Sequence, residues 1–296
     1  GGRISLNVNG INDFTFAGTV DAGGGVPTTG QRGHAGTVYI ASSTGNVNVT
    51  VSSGKFFRMG GAGEVTWGDL IIDAGGTLYF DSHPRQGTVN NANGSGTTGY
   101  EGKSNTINAT NVTVNGTMSG NGLGFSKWYG PGGRVGYAGA HGGSGSGGHS
   151  SSRSTYGSET QPISAGSGGN SSFGGGCIKI NATGIVTVDG TISADGIAVG
   201  NSSTAGAGGS IWIIADTIVG SGTIQAKGGN ATNVGAGGGG RISLNVTNAD
   251  DYDFNGTVDA GRWCLINNWF ERTCWNCLYC KFHWQCQCYG IQWKIY

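Results

Sequence analysis

Apolar and polar residues alternate in short runs through residues 1–261, and glycine separates the runs. Ile178 and Ile180, Val186 and Val188, and Ile192 and Ala194 are each separated by a polar residue. A period of two predicts half-buried strands. Thr, Val and Ile dominate these runs, and no apolar array with a 3.6-residue period interrupts them, so strands are expected and helices are not. Asn-Gly, Asp-Gly and Gly-Gly pairs fall between runs. They are expected at corners of positive φ, where glycine and asparagine are least strained.

The strands come in units. Gly176–Gly196, Gly209–Gly228 and Gly240–Gly261 are similar, with starts 33 and 31 residues apart. Gly36–Val51, Trp67–Phe80 and Ile107–Gly120 are related pieces. Each unit predicts two or three short strands. Repeats of this length indicate a solenoid, a propeller or an array. The units are too short for four-stranded blades and lack a recurring Trp-Asp, while their apolar residues are small and uniform enough to stack like on like. The expected fold is therefore all-β: a right-handed parallel β-helix (β-solenoid) over residues 1–261, with about seven or eight coils at ~4.8 Å each. An antiparallel β-sandwich or array is the alternative, because frequent turns also suit that fold.

A longer repeat overlies the short one. Residues 1–23 match residues 239–261 at 16 of 23 positions, an offset of 238. Past Gly261 the match is lost and the composition changes abruptly. Residues 262–296 contain six of the seven cysteines, five of the eight tryptophans and one of the 63 glycines. Codons can be chosen for this tail so that reading one nucleotide later recovers all 24 residues from Gly33 to Phe56. Trp275–Cys280, for example, becomes Gly-Thr-Val-Tyr-Ile-Ala, which is the sequence of Gly36–Ala41. The tail is accordingly expected to be an out-of-frame translation of the next repeat and not a native domain. On that reading the Cys274, Cys277 and Cys280 spacing, which otherwise suggests a zinc or iron–sulfur site, is a by-product of the shifted frame. The chain is expected to be a piece of a longer repetitive protein.

Residues 120–176 break the pattern with a long Gly-rich loop insertion. Loops of this length tend to carry function or lack order. Trp128, Tyr129, Arg134, Tyr137 and His141 lie on it. Aromatic rings and a guanidinium on a glycine scaffold can stack on sugar rings or meet a partner protein, so these five are the candidate contact residues. The competing expectation is a floppy or self-packed loop whose aromatics cap the side of the solenoid.

The run Gly139–Gly143 (GAHGG), then Tyr156-Gly157-Ser158 and Gly166–Gly169 (GSGG), leads into GGGCIKI, VTVDGTISADG, GGSIWIIA, GSGTIQAKGG and GGGGRISL. This series resembles the glycine-rich parallel β-helix repeats of large secreted or cell-surface, adhesin-like proteins, over most of residues 1–261. The resemblance implies an extracellular or cell-surface location, a structural or adhesive role, glycans or other surface proteins as partners, and no catalytic residues to carry over.

Charge and motifs narrow the alternatives. Sixteen Lys and Arg balance sixteen Asp and Glu, which leaves no basic footprint for nucleic acid. No apolar run approaches a membrane span. No phosphate loop, nucleophile elbow or calcium nonapeptide occurs, so no cofactor and no metal is expected. Parallel β-helices also house polysaccharide lyases and hydrolases, which makes a carbohydrate-active or glycan-binding protein the alternative. Such enzymes need clustered carboxylates. Asp69, Asp73 and Asp81, with His83 and Arg85, form only a loose group. Asp21, Asp195 and Asp259 recur at one place in their units and are expected to serve turns.

Overall fold

The computed structural model describes residues 2–8, 13–16, 18–23, 36–42, 46–60, 64–82, 105–146, 154–199, 203–232, 235–247, 252–261, 264–266 and 269–271. Three short strands make one turn of chain, and the turns stack. The first coil is β1 (Arg3–Val8), β2 (Asp13–Phe16) and β3 (Val20–Asp21). The second is β4 (Thr37–Ser42), β5 (Asn48–Val51) and β6 (Phe56–Gly60). The third is β7 (Glu64–Thr66), β8 (Leu70–Ile72) and β9 (Thr77–Asp81). The fourth is β10 (Asn105–Ala109), β11 (Val112–Val114) and β12 (Thr117–Ser119). After residues 120–176 come β13 (Cys177–Ala182), β14 (Ile185–Val188) and β15 (Thr191–Ser193). The sixth coil is β16 (Ser210–Ala215), β17 (Thr217–Gly220) and β18 (Thr223–Gln225). The seventh is β19 (Arg241–Val246), β20 (Tyr252–Phe254) and β21 (Thr257–Asp259).

Every pairing between these strands is parallel. Second-position strands form one seven-stranded sheet and third-position strands another; first-position strands form a two-stranded sheet (β1–β4) and a five-stranded one (β7 to β19). This is the parallel β-solenoid, and the parallel pairing excludes the antiparallel sandwich. A further hairpin, β22 (Cys264–Ile266) with β23 (Trp269–Glu271), is antiparallel. The cysteine motif at 274–280, along with His83 and Arg85, lies outside the described residues.

Register explains the uniform apolar residues. Phe57, Leu78, Met118, Ile192 and Ile224 form one column through the third-position sheet, and all five are buried. Val65, Ile107, Ile180, Ile213 and Leu244 form another, on the first-position sheet. Each side chain fills the space above its neighbour's. One coil alone could not bury these faces, so stability comes from the stack. Threonines 77, 117, 191, 223 and 257 line up on the outer side of the third-position sheet, where β-branched residues suit a pleated, half-exposed surface.

The corner glycines depart from expectation. Gly54 (φ 70°) and Gly75 (φ 82°) do take positive φ. Gly116, Gly190, Gly222 and Gly256, which stack at the corner before the third strand, do not. There the need is room: a Cβ on Gly190, Gly222 or Gly256 would overlap the corner carbonyl oxygen of the coil beneath. Those carbonyls accept hydrogen bonds from Thr191, Thr223 and Thr257 at 2.8–2.9 Å, which fixes the close approach.

The 238-residue sequence repeat has a structural meaning. β1 and β19 have the same sequence, RISLNV, and each opens its coil. The repeat therefore equals six coils, about 29 Å of stack at 4.8 Å per coil.

Candidate functional site

The insertion does not stand apart as a lone loop. Its described residues, 120–146 and 154–176, form a layer with the described parts of the glycine-rich connectors that follow the fifth and sixth coils, 194–199 with 203–209 and 226–232 with 235–240. Main-chain bonds run from Phe125 N to Gly166 O (3.1 Å), Gly166 N to Gly175 O (2.8 Å), Gly175 N to Ala207 O (2.8 Å), and Gly208 N to Gly238 O (2.9 Å). Gly238 N then donates to Gly139 O (2.9 Å), and Gly139 N to Ala205 O (3.0 Å). The segments lie so close that a Cβ on Gly174 would overlap the Gly166 carbonyl, and one on Gly237 the Gly206 carbonyl. Neither glycine has positive φ. Their missing side chains permit backbone to pack directly on backbone with its polar groups paired, which buried main chain requires. The sequence reading treated 120–176 as an insertion and missed that the Gly-rich connectors complete it. The runs Ala205–Gly209 and Gly235–Gly240 were the available signal.

Four of the five candidate contact residues share one outer turn of this layer. Trp128 is the one non-glycine residue of positive φ (69°) among the described residues. That conformation costs on the order of 1–2 kcal/mol for a residue with a Cβ. It is held from outside the turn. Asn170 Oδ1 accepts from Trp128 Nε1 at 2.8 Å and from the Gly136 amide at 3.1 Å. The Asn170 amide donates to Thr204 Oγ1 (2.8 Å), which donates to Tyr137 O (2.6 Å). Tyr129 O accepts from the Gly168 amide at 3.0 Å. The Arg134 guanidinium lies 5.0 Å from the Tyr137 ring centroid, a cation–π geometry. Trp128 is 38% exposed and Val135 is 49% exposed. The result is a turn fixed at both ends that exposes Trp128 and leaves Tyr129, Arg134 and Tyr137 half-buried beside it.

His141 is not part of that face. It is fully buried between the insertion and the stack. Its Nδ1 donates to Gly208 O at 2.8 Å, because a carbonyl can only accept, and its ring lies 4.7 Å from that of Tyr156 at a 46° tilt. Nε2 is buried without a hydrogen-bond partner. Burial first, and then the charge of Arg241, push its pKa down to about 3 against the opposing bonds from Gly208 and Gly209. His141 is thus a neutral packing residue, and contrary to the expectation that grouped it with the other four, the structure buries it away from their turn.

Residues 154–165 run as a strap over the outer side of the first-position sheet. Arg241 Nε donates to Tyr156 O (3.0 Å), and its Nη1 lies 3.6 Å from Glu159 Oε1. Ser243 Oγ donates to Thr160 O (2.9 Å) and Ser210 Oγ to Ser164 O (2.6 Å). Tyr156 Oη donates to Ala165 O at 2.5 Å and lies 2.8 Å from Ser167 Oγ. The strap offers main-chain oxygens and the sheet supplies the donors.

The carboxylates also serve structure. Asp21 and Asp259 accept from the amide two residues on (2.6 and 2.8 Å), as their turn position suggested. Asp195 differs, since its oxygens accept from the Lys227 amide (2.7 Å) and Gln225 Nε2 (2.5 Å) on the next coil. Burial raises its pKa, with those bonds opposing. A relay of the same kind climbs another corner: the Asp69 amide donates to Asn48 Oδ1, the Asn111 amide to Asp69 Oδ1, and the Ile185 amide to Asn111 Oδ1 (2.7–3.2 Å). Among the described residues no three His, Cys, Asp or Glu side chains are grouped to hold a metal ion, and no helix is long and apolar enough to cross a membrane. Comparison with protein-family descriptions, curated proteins and solved structures gives no match.

Proposed function

We infer that the chain is a structural or adhesive element of a large secreted or cell-surface repetitive protein, and that it performs no catalysis. What supports this reading is the outward turn of Trp128, Tyr129, Arg134 and Tyr137, pinned at both ends by Asn170 and Thr204 on a stiff stack. A turn ordered before binding loses little entropy when it meets a ligand. Rings of this kind stack on the faces of sugars, and the guanidinium adds charge-assisted bonds to hydroxyl or carboxylate oxygens. A glycan is the ligand this chemistry fits. The seven-coil stack would carry the face away from its anchor as a rod, and the out-of-frame reading of 262–296 fits a chain whose next repeat is the second coil again.

The test is a glycan array probed with the whole chain under reductant, run beside a reducing-end assay on the retained polysaccharides. The reading expects saturable binding that Trp128→Ala removes, with no new reducing ends. Release of new ends would establish a polysaccharide-cleaving enzyme instead.

A further inference from the structure

The charges of the chain balance overall, sixteen against sixteen, but not locally. Residues 102–188 contain five Lys and Arg and one acidic residue, Glu159. Two of those cations, Lys127 and Arg134, belong to the turn that exposes Trp128, and residues 120–146 contain no Asp or Glu. The nearby carboxylates are engaged elsewhere. Glu159 faces Arg241 Nη1 at 3.6 Å. Asp195, on the neighbouring connector, accepts from the Lys227 amide and Gln225 Nε2. Among the described residues Lys127 has no ion-pair partner. The Arg134 guanidinium packs on the Tyr137 ring at 5.0 Å, a contact that orients a cation without neutralising it. Asn170 Oδ1 gathers the Trp128 indole N–H and the Gly136 amide, so one side chain ties the exposed ring to the segment that carries Arg134 and Tyr137. Both cations are half-buried, where the effective dielectric is lower than in open water and the attraction for an anion is larger and less screened.

We propose that the ligand of this turn is an acidic glycan, a chain of sugar rings bearing carboxylates, with one ring stacked on Trp128 and a neighbouring carboxylate held by Arg134, while Lys127 adds to the field. The proposal rests on the glycan-binding reading above and names its ligand class. A neutral glycan would satisfy the Trp128 ring and leave two cations unmatched. A polyanion without rings would match the cations and leave Trp128 nothing to stack on. Nucleic acid offers both bases and phosphates, but its binding draws on many cations at once, and this turn has two. A carboxylated sugar meets the ring and the charge together, and the guanidinium can donate two parallel hydrogen bonds to one carboxylate.

The probes are polygalacturonate, alginate and hyaluronan, each beside its methyl ester, which keeps the rings and removes the charge. Each is titrated with the whole chain under reductant, with polyglutamate and oligothymidylate as ring-free and nucleic-acid controls. Expected are saturable binding of at least one acidic polymer and binding of its ester weaker by roughly tenfold or more. Affinity for the acid should fall as salt rises from about 0.05 to 0.5 M. Arg134→Gln should bring the acid down to the level of its ester, Arg134→Lys should keep part of the difference, and Lys127→Gln should cost less than Arg134→Gln. Unchanged circular dichroism checks that the variants fold, and the comparison of acid with ester needs no variant at all. Equal affinity for acid and ester, binding indifferent to salt, wild-type affinity in both Arg134→Gln and Lys127→Gln, or binding of either control as tight as that of the acidic polymers would each overturn the proposal. Binding of neutral glycans alone would overturn it and leave the glycan reading in place, whereas no binding of any glycan would remove both.

Discussion

The solenoid and the glycine-rich layer beside it are both densely packed, but by opposite means. In the solenoid, side chains do the filling: Phe57, Leu78, Met118, Ile192 and Ile224 rise one above another and exclude water from the interior that the sheets enclose. In the layer, side chains are what the packing leaves out. Gly174 lies against the Gly166 carbonyl and Gly237 against the Gly206 carbonyl, with no room for a methyl group, and the main-chain bonds supply the cohesion. One region is stabilised by apolar area removed from water, the other by complete pairing of buried backbone. The difference teaches that each should fail in its own direction, the solenoid when atoms are removed and the layer when they are added.

Substitutions can break that contrast. Ile192→Ala hollows the third-position column and should cost about 2–5 kcal/mol by chemical denaturation; a loss below about 1 kcal/mol would mean the column is not close-packed. Acid probes the seam between the regions. His141 has a folded pKa of about 3, below its unfolded value of ~6.5, so the unfolded chain takes up a proton first. Stability should be unaffected above about pH 6.5 and should fall by ~1.4 kcal/mol per pH unit below it, until the folded pKa is reached. His141→Gln should flatten this slope; a slope that survives the substitution would place the titration elsewhere. Gly174→Ala adds one methyl group to the layer and should cost roughly 1–3 kcal/mol by overpacking. Gly136 (φ 82°) has open space around its missing side chain, so Gly136→Ala should cost only about 1 kcal/mol, from backbone strain alone. Equal costs at the two glycines would show that close approach is not what the layer depends on. Trp128→Ala should change stability by less than about 1 kcal/mol, which separates its loss of glycan binding from unfolding.

The two regions were also unequally legible in the sequence. The alternation of Ile178, Ile180, Val186 and Val188 gave strands, because a pleated strand imposes its period on side chains that must face a core. The repeat spacing of the units beginning at Gly176, Gly209 and Gly240 turned those strands into stacked coils. Glycine carries no such period. It has no side chain to face inward or outward, so nothing in residues 120–176 marked which main chain would lie on which; the runs Ala205–Gly209 and Gly235–Gly240 signalled that partners exist, but the pairing emerges only in three dimensions. The corner glycines show the same blindness: Gly190 and Gly256 are needed for room, whereas their Asp-Gly and Asn-Gly pairs suggested positive φ. In the candidate site, residue type singled out Trp128, Tyr129, Arg134 and Tyr137, and the structure gathers these four on one turn. His141, identical in type to a surface ligand contact, was misplaced because its burial depends on Gly208 and Arg241, residues 67 and 100 positions away in the chain.

Residue-resolved amide hydrogen exchange tests the two-region account most directly. The account predicts that the amides of Gly139, Gly175, Gly208 and Gly238 are protected to the same degree as those of Ile180, Ile192 and Ile213. Exchange of the glycine amides at rates near those of an unstructured chain, with the isoleucine amides still protected, would contradict it.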